Sequence, residues 1–261
     1  MIDIHTHVLP GVDDGPGNFV ESLEMLKVGM RDGIHGVVCT SHVLNRLTPD
    51  IEQTFQEKFR KLKELVADEG LGISLWLGSE IMCTASFDLR SPIATINNNG
   101  KYLLIELPMG QLPAGVDEVF FNLSLEGIVP ILAHPARNAV IQQRPRLVHE
   151  FINRGVLMQI NSGSVTGVFG KKARQTALLL LEHNLVHLVA SDCHSVVSRP
   201  MHLRKCHGFI QNKFGSDLAR DLFFTNPSKA VAGEDIDIRE PVVPSKKSFL
   251  SRLFKTRENR S

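Results

Sequence analysis

No two cysteines of this 261-residue chain stand in a CxxC arrangement; the four present, Cys39, Cys83, Cys193 and Cys206, are scattered singly. That spacing excludes a zinc ribbon and supplies no disulfide framework, which suits a reducing cytosol. No apolar run approaches the roughly 18 residues that cross a bilayer. The first strand is read from Ile2, which leaves no room for the basic segment and apolar core of a signal peptide. A cytoplasmic protein, at most peripheral to a membrane, is therefore expected. An excess of one charge is missing too: 29 Lys and Arg face 28 Asp and Glu, a formal net charge of +1. A general nucleic-acid binder carries a basic excess, so that class is set aside. Internal repeats and low-complexity segments are absent. With 43% hydrophobic and 22% charged residues, the chain can bury one large core, and a single α/β domain is the reading.

The richest stretch is the first, MIDIHTHVLPGVDDG. It reads as a short strand, Ile2-Asp3-Ile4, that delivers His5 and His7 and then Asp13 and Asp14 in a turn. Strand side chains alternate, so His5 and His7 share a face. Imidazole with carboxylate suits zinc, manganese or iron, not an all-oxygen calcium cage. Two histidines alone are more often a polar patch, but His, Asp and Glu recur at later strand ends.

Asn18 reads as an N-cap for a helix to Arg31, with Val20, Leu23, Leu26 and Met30 at helical spacing. Further strands are read at Gly36–Thr40, Ile73–Leu77, Tyr102–Ile105, Val129–Ala133, Val156–Ile160 and Val186–Ala190. Helices are read at Pro49–Glu69, Val116–Leu125, Leu147–Asn153 and Lys171–Glu182. The segment from Ile81 to Gly100 has no clear period and reads as an irregular excursion with a short helix. Met201–Gly233 reads as two helices and a short third. Seven apolar strands alternating with helices imply parallel pairing and a TIM-like barrel. In such barrels the carboxyl strand ends carry the active face, and six of the seven here end in His, Asp or Glu. From Glu234 the chain turns polar, and Ser245–Ser261 holds six basic residues against one acidic. There Phe249, Leu250, Leu253 and Phe254 share a helical face, which fits an anionic membrane surface or a partner groove as well as a frayed solvated tail.

In order, the motifs DIHTH, a lone SH, GSE, IELP, AHPAR and SDCH followed by Arg199-Pro200 resemble the polymerase and histidinol phosphatase (PHP) superfamily. MIDIHTH followed by VDDGP is similar to its bacterial manganese-dependent protein-tyrosine phosphatases of capsule and exopolysaccharide synthesis. The resemblance covers about residues 1 to 230. It implies a distorted seven-stranded (β/α)7 barrel; with the polar turn of the chain at Glu234, the barrel domain is read over residues 1–233, and 234–261 as polar linker and basic tail outside the resemblance. It also implies three divalent metal ions, Mn2+ in the first place with Fe or Zn accepted by the same donors. Position by position, the implied ligands are His5, His7, Asp14, His42, Glu80, Glu106, His134, Asp192 and His194, with Glu106 bridging two ions. Arg137 and Arg199 match the phosphate-gripping arginines. Pro135-Ala136 and Val43 depart from the family pattern and bear on substrate preference rather than on the metal site.

Such a site would hydrolyse a phosphotyrosine protein, a bacterial tyrosine kinase of polysaccharide export by resemblance, through a metal-bound hydroxide. Two arginines suit the phosphate because a guanidinium fork grips two oxygens and keeps its charge. The phenolic leaving group has a pKa near ~10, so a bound water or a ligand histidine such as His42 serves as acid. A histidinol-phosphatase-like enzyme and a non-catalytic regulator that binds kinase or membrane are the alternatives. Singly, His42 and His134 read as core histidines, Glu80 and Glu106 as helix caps; the ordered set favours ligation. Asp13, which the family match does not assign, reads as a turn former before Gly15. His35, His149, His183, His187, His202 and His207 fall away from the active face. Cys193 to Arg199 fits the C-x5-R pattern of cysteine-dependent phosphatases, but holds no glycine to build a phosphate-cradling loop.

Overall fold

The computed structural model describes residues 1–244. Its strands are β1 (Ile2–Thr6), β2 (Gly36–Cys39), β3 (His42–Val43), β4 (Ser74–Leu77), β5 (Glu80–Met82), β6 (Tyr102–Glu106), β7 (Val129–Ala133), β8 (Leu157–Asn161) and β9 (Leu188–Ala190). Pairing is parallel throughout, in sheets ordered β1-β2-β4 and β3-β5-β6-β7-β8-β9. The two sheets are successive storeys of one surface. β2 breaks at Thr40-Ser41 and resumes as β3, and β4 breaks at Gly78-Ser79 and resumes as β5. Across the breaks the ladder continues, from Gly78 N–H to the Cys39 carbonyl (3.0 Å) and from Glu80 N–H to the Ser41 carbonyl (3.1 Å). Counted as staves, seven remain.

Closure falls between the first stave and the last. Asp192 N–H donates to the His5 carbonyl and His7 N–H to the Cys193 carbonyl, each at 2.9 Å. The buried Asp3 carboxylate accepts the Ser191 N–H at 3.0 Å and pins the same seam. The result is a distorted seven-stranded parallel α/β barrel, as the alternating pattern led us to expect.

Hydroxyl side chains make the breaks tolerable, because they supply the hydrogen bonds that a kinked ladder loses. Thr6 N–H donates to Thr40 Oγ1 (3.0 Å), Thr6 Oγ1 donates to the Val38 carbonyl (2.8 Å), and Ser79 Oγ to the Ile93 carbonyl (2.7 Å). The strand period of two sorts apolar side chains to both faces. Ile4, Val38, Leu104, Ile131 and Leu188 meet inside, whereas Leu103, Ile105 and Leu132 pack outwards with helical residues such as Phe120, Phe151 and Leu180.

The surrounding helices are α1 (Phe19–Arg31), α2 (Pro49–Asp68), α3 (Val116–Leu125), α4 (Ala139–Gln143), α5 (Arg146–Ile152), α6 (Ser162–Thr166), α7 (Gly170–Glu182), α8 (Arg204–Phe214), α9 (Ser216–Arg220) and α10 (Asn226–Ala232). Asn18 caps α1 as read from the sequence, accepting the Glu21 N–H at 3.0 Å. Ala230 and Val231 of α10 join the inner cluster and plug the barrel end opposite the strand carboxyl termini. Asn99 fastens that plug by donating to the Ala230 carbonyl at 2.6 Å.

Three readings change. His42 and Glu80 do not end long strands; each opens a short strand of its own, because the hydroxyl-rich breaks precede them. The irregular excursion therefore begins only after Met82, and its short helix is a turn at Ile96–Asn98. The third helix of the carboxyl region is not separate: α9 runs through a π-helical turn, Asp221–Thr225, directly into α10. No helix among the described residues is long and apolar enough to cross a membrane. The basic stretch Ser245–Ser261, read as amphipathic, lies outside the described residues.

Candidate metal centre

β1 projects His5 and His7 from its carboxyl end, and the following loop returns Asp13 and Asp14 over them. His42 opens β3, Glu80 opens β5 and Glu106 closes β6. His134 and Asp192 follow β7 and β9 in left-handed backbone, φ 36° and 56°. Non-glycine residues pay a conformational cost there, and such outliers concentrate at functional sites. His194 lies two residues beyond Asp192.

The structure brings all nine residues singled out above into four overlapping groups with metal-ligand spacing: His7, Asp14, His42 and His194; His5, His134 and Asp192; His5, His7 and Glu80; and His42, Glu80 and Glu106. Glu80 Oε2 lies 3.1 Å from His5 Nε2, 3.2 Å from His7 Nε2 and 3.1 Å from His42 Nδ1, while its Oε1 lies 2.9 Å from His134 Nε2. Glu106 divides its oxygens similarly, Oε1 at 3.2 Å from His42 and Oε2 at 3.7 Å from His134. The carboxylate of Asp14 reaches across to His194 Nε2 at 3.1 Å.

Whether these donors fit a cation can be judged from their partners. His5 Nδ1 is 2.9 Å from Gln159 Oε1 and His7 Nδ1 is 2.8 Å from Asp13 Oδ2. Both partners are acceptors, so each neutral imidazole carries its proton on Nδ1 and leaves Nε2 as a bare lone pair. Those two Nε2 atoms face each other at 3.2 Å. Two lone pairs at that distance repel unless a positive charge lies against both. Elsewhere in the cluster His42 Nδ1, Glu80 Oε2 and His194 Nε2 are buried without a hydrogen-bond partner, although His42 Nδ1 lies 3.1 Å from Glu80 Oε2 and His194 Nε2 lies 3.1 Å from Asp14 Oδ1. Buried acceptors converging without protons between them fit divalent cations.

Protons are the competitors. Burial opposes charging of His5, but the Glu80 and Asp192 carboxylates outweigh it and raise its pKa. For His7 burial is likewise overcome, by Asp13, Asp192 and Glu80. His194 goes the other way, lowered to about 4 by burial and by the neighbouring His7.

Asp192 links this cluster to the two arginines. Its Oδ1 faces His5 and His7 at 3.5 Å, while Oδ2 accepts Arg137 Nη1 at 2.7 Å, Arg199 Nη2 at 2.6 Å and Asn161 Nδ2 at 2.7 Å. Arg199 Nε is buried and has no partner, a donor left over. Arginines and cluster open into one cavity of about 610 Å3, whose walls include Val12, Leu44 and Met109.

Asp13 needs a correction. It does form the turn, accepting the Gly15 N–H, but its other oxygen holds His7 and accepts the His42 N–H at 3.1 Å. Sequence reasoning missed Gln159, Asn161 and Phe169 altogether. Nothing local marks them, although Asn161 does sit at a strand carboxyl end. The six histidines read as remote stay outside the four groups. Cys193 is fully buried, and burial together with Asp3 pushes its thiol well above the ordinary range, so a thiolate is disfavoured.

A parallel barrel whose carboxyl end gathers histidines, carboxylates and two arginines at one cavity defines a metallohydrolase-like class of protein. Residues 1–232 match the family model described as capsular polysaccharide synthesis, CpsB/CapC, and the chain belongs to that family. It is 34% identical over 256 residues to the tyrosine-protein phosphatase YwqE of Bacillus subtilis (strain 168), covering 97% of this chain and 100% of the relative. It is 33% identical over 238 residues to the tyrosine-protein phosphatase CpsB of Streptococcus pneumoniae, covering 88% and 98%. Solved structures of YwqE and CpsB, described as unique metal-dependent tyrosine phosphatases, include a match with a TM-score of 0.84 at 31% identity, over 94% of this chain and all of that one.

Proposed function

We propose that the protein is a metal-dependent phosphatase that removes phosphate from protein tyrosines. The observation that carries this reading is the meeting of nine metal-competent side chains with two arginines, joined through the two oxygens of Asp192, at one cavity. His5, His7, Asp14, His42, Glu80, Glu106, His134, Asp192 and His194 would hold three divalent ions, manganese in our reading. Such ions, when bound, lower the pKa of a water and neutralise phosphoryl oxygens.

The chain's own groups do the rest. Arg137 and Arg199, which both line the cavity, grip the phosphate with guanidinium N–H groups not given to Asp192. Asp192 Oδ2 orients both guanidinium groups toward it. His42 has the most open side chain of the five histidines, 19% exposed against 0 to 5% for the others, and would hand a proton to the departing phenolate from a ring nitrogen that holds no ion. Val12, Leu44 and Met109 offer apolar walls to an aromatic ring. The tyrosine-phosphatase relatives support this substrate class. The proposed partner is a bacterial tyrosine kinase of polysaccharide export, met in the cytoplasm, with the basic tail as a peripheral membrane contact.

The test is hydrolysis of a phosphotyrosine peptide by wild type, Cys193→Ser and His134→Ala, each chelated and then given manganese. Wild type and Cys193→Ser should recover with metal, and His134→Ala should not. Loss of activity in Cys193→Ser alone, with chelation having no effect, would sink the proposal.

A further inference from the structure

Both arginines meet the same aromatic ring. The Arg137 guanidinium carbon lies 4.4 Å from the centroid of Phe169 and that of Arg199 lies 5.9 Å from it. The same two guanidinium groups share Asp192 Oδ2. A carboxylate alone fixes one point of each group, and an aromatic face adds a second without using up a donor N–H, because the quadrupole attracts the cation through the plane of the ring. Donors kept free in this way remain for phosphate oxygens.

The local chain is built to put the ring there. Phe169 lies in the short link between α6 and α7, flanked by Gly167 and Gly170 at φ 94° and 88°, backbone that a side chain would strain. Its N–H donates back to the Gly163 carbonyl at 3.3 Å. The ring packs against Gly163, where a Cβ would come within 2.7 Å of Phe169 Cε2. A glycine inside α6 forgoes helix propensity, and here the room it leaves is filled by Phe169.

We infer that Phe169 is a positioning residue for phosphate recognition: its ring, seated on Gly163, aligns the guanidinium groups of Arg137 and Arg199 toward the phosphate while leaving their donors free. The inference rests on the reading of both arginines as phosphate-binding groups. It goes further in placing part of the specificity for the dianion on a side chain that touches neither metal ligand nor substrate.

The experiment uses the full-length, manganese-loaded protein and compares Phe169→Leu, Phe169→Tyr and Gly163→Ala with wild type. Readouts are KM and kcat on a phosphotyrosine peptide, the inhibition constant of inorganic phosphate, bound manganese and Tm. Leucine keeps the bulk and loses the quadrupole, tyrosine keeps both, and the added methyl of Gly163→Ala displaces the ring from a different position in the chain. We expect Phe169→Leu and Gly163→Ala to weaken phosphate inhibition and raise KM about five- to tenfold. Manganese content should be unchanged, and Phe169→Tyr should stay within about twofold of wild type. Equal phosphate inhibition in Phe169→Leu and wild type overturns the inference, as does equal damage from leucine and tyrosine. Arg137→Ala and Arg199→Ala serve as references. If neither weakens phosphate inhibition, the phosphate reading itself fails; if both do while Phe169→Leu does not, only the role of Phe169 is lost.

Discussion

Asp13 works through His7. Its Oδ2 fixes the imidazole proton on Nδ1, and a partner that can present the wrong group leaves the Nε2 lone pair less well aimed. Asp13→Asn should lower manganese affinity by roughly 10- to 100-fold. Much of the activity should return at saturating metal, which a metal titration monitored by turnover can show; unchanged affinity would count against the role. At His187 the sign of a pH effect can be worked out. Its Nδ1 accepts the Met158 N–H, its Nε2 is buried without a partner, and burial pushes its pKa from 6.5 down to about 4. The unfolded chain therefore binds the proton more readily. His187 adds stability that is complete above about pH 6.5 and is lost as pH falls toward 4, roughly 3 kcal/mol in all. Urea unfolding of wild type and His187→Asn at pH 7 and pH 4.5 should show a smaller pH loss in the variant. Asp13 does form a turn and His187 does lie away from the metal cluster, as read from the sequence, but an Asp before Gly, or a lone His at a strand start, has no local signature of what else it will touch.

Among the elements, α1 was the most legible, since capping and apolar spacing are local properties. Asn18→Ala should cost about 1 kcal/mol in urea unfolding and leave kcat unaltered, because it removes one cap bond at the start of a helix that contributes no proposed ligand. The strand breaks were the least legible. Thr40-Ser41 and Gly78-Ser79 look like ordinary strand ends, and only the pairing of β3 with β5 shows that the ladder resumes beyond them. Those breaks bear on the site, since they turn His42 and Glu80 inward at the start of new strands. The π-helical turn joining α9 to α10 was likewise invisible to a reading based on period alone.

For the entire chain, metal binding and proton binding should oppose each other. His5 is raised by Glu80 and Asp192, and His7 by Asp13, Asp192 and Glu80, so below their pKa values the proton must leave before a cation can enter. Manganese affinity should rise with pH across the neutral range and fall as the histidines are protonated; calorimetry in two buffers of different ionisation enthalpy would detect the released protons. A cation that binds only the folded barrel also stabilises it, by about 2.7 kcal/mol at a hundredfold excess over Kd. Chelation should therefore lower Tm and manganese should restore it. An unchanged Tm would mean that the cluster holds no ion tightly.

The alternation of strands with helices and the parallel barrel were written locally, whereas the nine clustered residues came from the ordered motifs through the family resemblance. Strand alternation and helical spacing are read over a few residues, and parallel barrels place chemistry at strand carboxyl ends regardless of loop detail. The ordered motifs could then be assigned one by one. Which atom faces which was settled by folding alone. Gln159 holds His5 from 154 positions away, Asp192 shares one oxygen between arginines that follow different strands, and Phe169 lies against both from a third loop. Such contacts depend on how the barrel closes and where its loops cross, and no period within the sequence encodes a distance between segments that meet only when the last strand joins the first.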